Sequence, residues 1–276
     1  MLRVAIVAVL LLGCAQKPPP ERAQARTSAT WRIVSYNIHH GRGMDERVDL
    51  ERIADVLRRL DPDVVALQEV DERVERSGGV DQAARLGTLL GMSHAFGSFM
   101  DYQGGRYGMA ILSHCQIRRM ESVRLPEGNE PRVALVAEVA ALDGGVLTVV
   151  DVHFDWVADD GFRFAQAGQV ARYLDGLAGR WIVIGDFNDQ PGSRTLDLFH
   201  TRAAEAAKPR DRRSTFPSDD PRREIDFIFA APRGAWTVRS VEVVAESVAS
   251  DHRPVLAVLT ARGDAPGAQP GRACPR

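Results

Sequence analysis

Residues 182–193 read IVIGDFNDQPGS. Three residues of apolar strand character run into a glycine, and Asp186 and Asn188 follow with Phe187 between them. Pro191 and Gly192 then close the segment. A continuous apolar run of this length, bounded by turn residues, is the pattern of a strand buried on both faces. Two polar side chains at its tip either cap a turn through their own backbone or stand in a site at a sheet edge. A short helix is expected after Pro191-Gly192.

The same pattern recurs along the chain. WRIVSYNI (31–38), DVVALQEV (63–70), YGMAILS (107–113), VALVAEVA (133–140) and GVLTVVDVHF (145–154) read as strands. RWIVIG (180–185), REIDFIFA (223–230), WTVRSVEVV (236–244) and PVLAVLT (254–260) continue the series. Helices are expected at 49–60, where Leu50, Ile53, Leu57 and Leu60 share one face behind an Asp49 cap, and at 80–91. A third spans 161–177, with Phe162, Ala165, Val170, Tyr173, Leu174 and Leu177 at helical spacing. Strands outnumber helices and come in pairs as well as in alternation. That pattern suggests two sheets packed face to face with helices outside.

The chain has 276 residues, 45% hydrophobic, which suffices for one large core. A net charge of −2 shows no surplus of base, so tight non-specific gripping of a polyanion is disfavoured. The ends read differently from the middle. MLR followed by VAIVAVLLL (4–12) is a secretory signal, too short to span a bilayer. LLGC then resembles a bacterial lipobox with Cys14 as the lipidated residue, the alternative being an ordinary signal peptide with an incidental cysteine. No Asp follows Cys14, so the outer membrane is the expected destination of an envelope lipoprotein, facing the periplasm or the cell surface. The expected organisation is a signal at 1–13, an anchored Cys14 with a Pro-rich tether at 14–30, a catalytic domain at 31–261 and a disordered Pro/Gly-rich tail at 262–276. Cys115 and Cys274 could pair in an oxidising envelope or stay as two thiols.

Polar residues collect at strand tips: Asn37, Glu69, His153, Asp186, Asn188 and the pair Asp251-His252. Taken singly each has a bland explanation. Asn37 and Asn188 suit turns, Glu69 a solvated strand end, His153 a satisfied core histidine and Asp251 a cap. Asp226 is harder to dismiss, because it lies inside the apolar strand EIDFIF, where a carboxylate must be paired. Glu69, Asp251 and the Asn37 carbonyl are hard oxygen donors suited to Mg²⁺ or Mn²⁺, one or two ions. No zinc spacing, P-loop or nucleophile elbow is present.

SYNIHH, LQEV, DVHFD, GDFND, EIDFIF and SDHRPV, in that order, resemble the motifs of the endonuclease/exonuclease/phosphatase superfamily, over residues 31–260. The resemblance implies the deoxyribonuclease-I-like fold, a four-layer α/β sandwich of two mixed β-sheets with helices outside, and a Mg²⁺- or Mn²⁺-dependent phosphoric ester hydrolase. By position it implies metal-site roles for Asn37, Glu69 and Asp251. Asp186 matches the carboxylate that orients or deprotonates the attacking water, and Asn188 the amide on a phosphate oxygen. His252 matches the histidine at the scissile phosphate, with Asp226 behind it. His153 or His252 is the general acid. Tyr107 and Arg106 fall where substrate contacts occur, and Met109 replaces a common Asn. Arg76 and Arg132 are further candidates for holding phosphate, against surface or structural roles. The expected function is a phosphodiesterase acting on a phospholipid, a small phosphodiester or nucleic acid. A secreted nuclease, a sphingomyelinase-like enzyme and an inactive binding lipoprotein are the alternatives. The membrane through Cys14 is the only partner implied besides substrate.

Overall fold

The computed structural model describes residues 30–140 and 145–261. The expected signal, tether, Cys14, Cys274 and C-terminal tail lie outside these residues. The strands in order are β1 (Thr30–Asn37), β2 (Val64–Glu72), β3 (Ser93–Tyr102), β4 (Gly105–Ser113), β5 (Ile117–Arg124) and β6 (Val133–Ala140). They continue as β7 (Val146–His153), β8 (Arg180–Asp186), β9 (Ala204–Glu205), β10 (Asp226–Ala231), β11 (Trp236–Val243) and β12 (Val255–Ala261). The helices are α1 (Leu50–Leu60), α2 (Gln82–Leu90), α3 (Gly161–Asp175) and α4 (Arg194–His200).

Two six-stranded sheets form, ordered β11-β12-β1-β2-β4-β3 and β5-β6-β7-β8-β10-β9. Each is mixed: β1 pairs parallel with β2 and antiparallel with β12, and β7 pairs parallel with β8. Three apolar clusters define four layers. Trp31, Ile33, Met109, Leu135, Ile182 and Ile228 meet between the sheets. Ile53, Leu57, Leu86, Val34 and Leu67 join α1 and α2 to the outer face of the first sheet. Val170, Leu174, Phe199, Phe187 and Phe229 do the same for α3 and α4 on the second. This is the four-layer sandwich that the resemblance implies.

Local signals act as read. The Asp49 carboxylate caps α1 by accepting from the Arg52 amide at 3.0 Å, and the Ser193 hydroxyl caps α4. Three edge strands, β3, β5 and the two-residue β9, were not expected. β5 (IRRMESVR) is mostly exposed and charged, so it lacks a buried strand's apolar signature. The α3 face also needs correction. Phe162 is 45% exposed and Ala165 is exposed, while Arg163, Gln166, Ala167, Val170, Ala171 and Leu174 are buried. Two polar residues enter that face because they bond loops beside the site. Cys115 is buried and disulfide-bonded, and the Cys274 half of the expected pairing lies outside the described residues. Among the described residues no helix is long and apolar enough to cross a membrane.

Candidate active site

β1, β2, β7 and β8 point the same way, so Asn37, Glu69, His153 and Asp186 arrive at one end of the sandwich. The antiparallel β10 starts there with Asp226, opposite Asp186 in register. Asp251 and His252 arrive there on the loop before β12. Carboxyl ends of parallel strands are the usual place for a site in such sheets.

Asp186 is the hub. It is 1% exposed and divides its oxygens between two tasks. Oδ1 accepts from the Asn188 amide at 2.9 Å, which forms the turn. Oδ2 accepts from Asn37 Nδ2 at 3.3 Å and lies 3.6 Å from Nε2 of both His153 and His252. Gly185 makes the approach possible. It has φ +140°, and a Cβ there would sit 2.0 Å from the Val152 carbonyl oxygen. Asn188, at φ +49°, donates from Nδ2 to the Phe154 carbonyl at 3.0 Å, leaving its second N–H for another acceptor.

The two imidazoles are held differently. Nδ1 of His252 lies 3.0 Å from Asp226 Oδ2, so the buried Asp226 has the partner its burial demands. Burial opposes the charged imidazole, but Asp226 and Asp186 outweigh it and push His252 up to about 10. Nδ1 of His153 lies 3.0 Å from Arg132 Nη1. A guanidinium only donates, so Nδ1 accepts and the ring proton sits on Nε2, facing Asp186. Burial and the Arg132 charge push His153 well below its usual range, towards the neutral form. Burial raises Asp186 above the ordinary carboxylate range against the pull of His252.

Glu69 sits in a bulge where the pairing of β2 with β4 slips between Leu67 and Val70, with φ +57°. Its Oε1 accepts from Asn37 Nδ2 at 3.0 Å, and burial together with the Glu69 charge pushes the Tyr107 hydroxyl well above its usual range. Burial raises this carboxyl, but the imidazoles of His153, His39 and His252 and the Asn37 amide outweigh it and bring Glu69 to about 2. The His153 share vanishes once that ring is neutral, so near pH 7 the Asn37 bond and His252 keep Glu69 ionised. Asp251 is partly exposed, 3.9 Å from His39 Nδ1. His39, His40 and Glu69 bring ligand atoms within 4.8 Å of one another. Neither histidine was singled out from sequence, although HH follows Asn37 after a single residue, Ile38, at the tip of β1. Ser250 was also missed: its hydroxyl donates to the Asn37 carbonyl at 2.7 Å, tying the His252 loop to β1.

The arginine candidates separate. Arg132 is in the site, buried, with Nη2 on Glu130 and its guanidinium over Phe99. Arg76 is paired through two hydrogen bonds to the buried Asp71 and stacked on Tyr102 and Tyr107. Arg106 pairs with Glu72 at the surface. Met109 lies in the core between the sheets, so it makes no surface contact in place of the usual Asn.

The sequence profile of the endonuclease/exonuclease/phosphatase family matches residues 34–252. No curated protein matches the chain. Among solved structures, an endonuclease/exonuclease/phosphatase from Beutenbergia cavernae is similar at 24% identity and a TM-score of 0.67, over 85% of this chain and 72% of that one. A mannosyl-6-phosphatase from Bacteroides thetaiotaomicron is similar at 19% identity and a TM-score of 0.69, over 83% of this chain and 99% of that one. A humanised TDP2 from D. rerio follows at 18% identity and a TM-score of 0.69, over 85% of this chain and all (100%) of that one.

Proposed function

The chain belongs to the endonuclease/exonuclease/phosphatase family, whose members hydrolyse phosphate esters, and from that premise we propose that it is a metal-dependent phosphodiesterase. The observation that carries this reading is Asp186 Oδ2, 3.6 Å from the Nε2 of two imidazoles in opposite electrostatic states. An inert binding protein has no use for that contrast, nor for Asp226 buried behind His252.

The donor set fits a hard divalent cation. Glu69, Asp251 and the Asn37 carbonyl would hold it, with His39 beside them, and Glu69 stays ionised for the purpose. The imidazole among oxygen donors suits Mn²⁺ at least as well as Mg²⁺. When bound, such an ion stabilises charge on phosphoryl oxygens.

The chain's own residues supply the rest. Burial makes the Asp186 carboxylate a stronger base, and in its ionised form it takes a proton from the attacking water. The water oxygen bonds to phosphorus, and the bond to the leaving oxygen breaks. His252 is the better proton donor to that oxygen, because it is the cationic ring and Asp226 stabilises its charge. His153 donates one neutral Nε2–H to a phosphoryl oxygen, with Arg132 fixing its tautomer. Asn188 offers its free N–H to another oxygen. Purified protein should hydrolyse bis-p-nitrophenyl phosphate with Mn²⁺ or Mg²⁺ and stop on addition of EDTA. A folded protein inert on phosphodiesters, phosphomonoesters, nucleic acids and phospholipids alike would overturn the reading.

A further inference from the structure

Trp156 lies three residues past His153, on the loop leaving β7, and is 58% exposed. The other tryptophans, Trp31, Trp181 and Trp236, are at most 6% exposed. The backbone around Trp156 is immobilised by a buried clamp. Arg163 donates from Nη1 to the carbonyls of Asp155 and Val157, both at 3.0 Å, one on each side of Trp156. Its Nε pairs at 3.1 Å with Asp189, on the loop that carries Asp186 and Asn188. Fully buried Asp155 accepts from the Val157 and Asn129 amides, and Gln166 accepts from the Asp155 amide. A buried arginine, aspartate and glutamine thus fix a loop whose largest side chain is left in water. Mobile surface loops do not carry such clamps, and a large exposed aromatic beside a site is a mark of recognition.

We infer that Trp156 walls a subsite that stacks a planar unsaturated ring of the substrate, a nucleobase, beside the phosphate held at Asp186 and His252. The inference rests on the phosphoester-hydrolase reading and narrows its substrate to nucleotides or single-stranded nucleic acid. An indole face offers a broad flat surface on which a nucleobase stacks whatever its identity. Phe162, 45% exposed at the start of α3, puts a second ring at the same loop–helix junction.

Three buried tryptophans make acrylamide quenching of intrinsic fluorescence a selective report on Trp156. With Mg²⁺ present, millimolar AMP should shield the intact protein from quenching, and ribose 5-phosphate should not. Trp156→Ala should lose the accessible component. On a dinucleotide, Trp156→Ala should raise KM about tenfold with kcat little changed, and Trp156→Phe should recover most of the loss. Hydrolysis of glycerophosphoglycerol, a diester with neither a ring nor a cation, should be unaffected. Absence of AMP shielding, or equal shielding by ribose 5-phosphate, overturns the inference. So does a blue shift on phosphatidylcholine vesicles in place of AMP shielding, which assigns the indole to a lipid surface. Shielding by AMP in a protein that hydrolyses no phosphoester would leave the subsite standing and sink the enzyme reading instead.

Discussion

Asp186 answers both readings of a strand-tip aspartate, because each oxygen does a different job. Oδ1 makes the turn with the Asn188 amide, and Oδ2 faces Asn37, His153 and His252. Replacing Asp186 by Ala, or His252 by Ala, should each lower the hydrolysis rate at least about a hundredfold, the smaller range for a lost acid or base. Circular dichroism should show both variants folded, and near-normal rates in either would refute the roles assigned here. Sequence made the carboxylates and His252 legible, since a charge inside an apolar strand demands a partner. It did not reveal His39, His40 or Ser250, whose contribution depends on the left-handed turn after β1 (φ +46° and +45° at the two histidines). Nor could spacing tell that Arg132 faces His153 while Arg76 and Arg106 are consumed by Asp71 and Glu72.

At the level of elements, the strands that build the site also brace it. Phe187, between the two polar residues of the opening stretch, packs edge-on to Phe154 at 5.4 Å, Phe199 at 5.1 Å and Phe227 at 5.6 Å between ring centres. It pins the catalytic loop onto α4 and β10. Phe187→Ala should cost about 3–5 kcal/mol in urea unfolding, and a loss below about 1 kcal/mol would show that the loop does not depend on that cluster. Buried strands with continuous apolar runs could be read from sequence, and so could helices with caps. The edge strands β3 and β5 could not, because one face of each meets solvent and their residues look like loop. The α3 face was misread for a related reason: Arg163 and Gln166 are buried by hydrogen bonds to loops, which no hydrophobic period encodes.

For the whole molecule, the two sheets share a polar contact in their common core. Gln68 Nε2 donates to Asp151 Oδ1 at 2.6 Å, and Asp151 Oδ2 has no partner. Burial pushes the Asp151 carboxyl well above its usual range. The folded protein therefore binds a proton that the unfolded chain releases near pH 4, and this costs stability as pH rises from there. Asp151→Asn should raise the melting temperature at pH 8, with the gain shrinking as pH falls towards 4. A gain independent of pH would mean that the carboxyl is ionised in the fold. We also propose anchoring through Cys14: Cys14→Ser should move the protein from the membrane fraction to the soluble one, and unchanged fractionation would argue against a lipid anchor. Residues 15–29 extend at most about 50 Å, and β1 then carries the chain away from its point of entry to the site.

The order of strands has a bearing on biosynthesis. The second sheet is one unbroken stretch of chain, from β5 to β10, whereas the first is assembled from both ends of the described chain, with β12 inserted between β11 and β1. Asp251 and His252 immediately precede that last strand. A polypeptide still emerging from the ribosome has neither the final imidazole nor the strand that completes the sheet beneath Asn37. Partial chains therefore lack a complete site. A hydrolase able to attack its producer's own phosphodiesters would acquire its activity only when synthesis and folding are both finished.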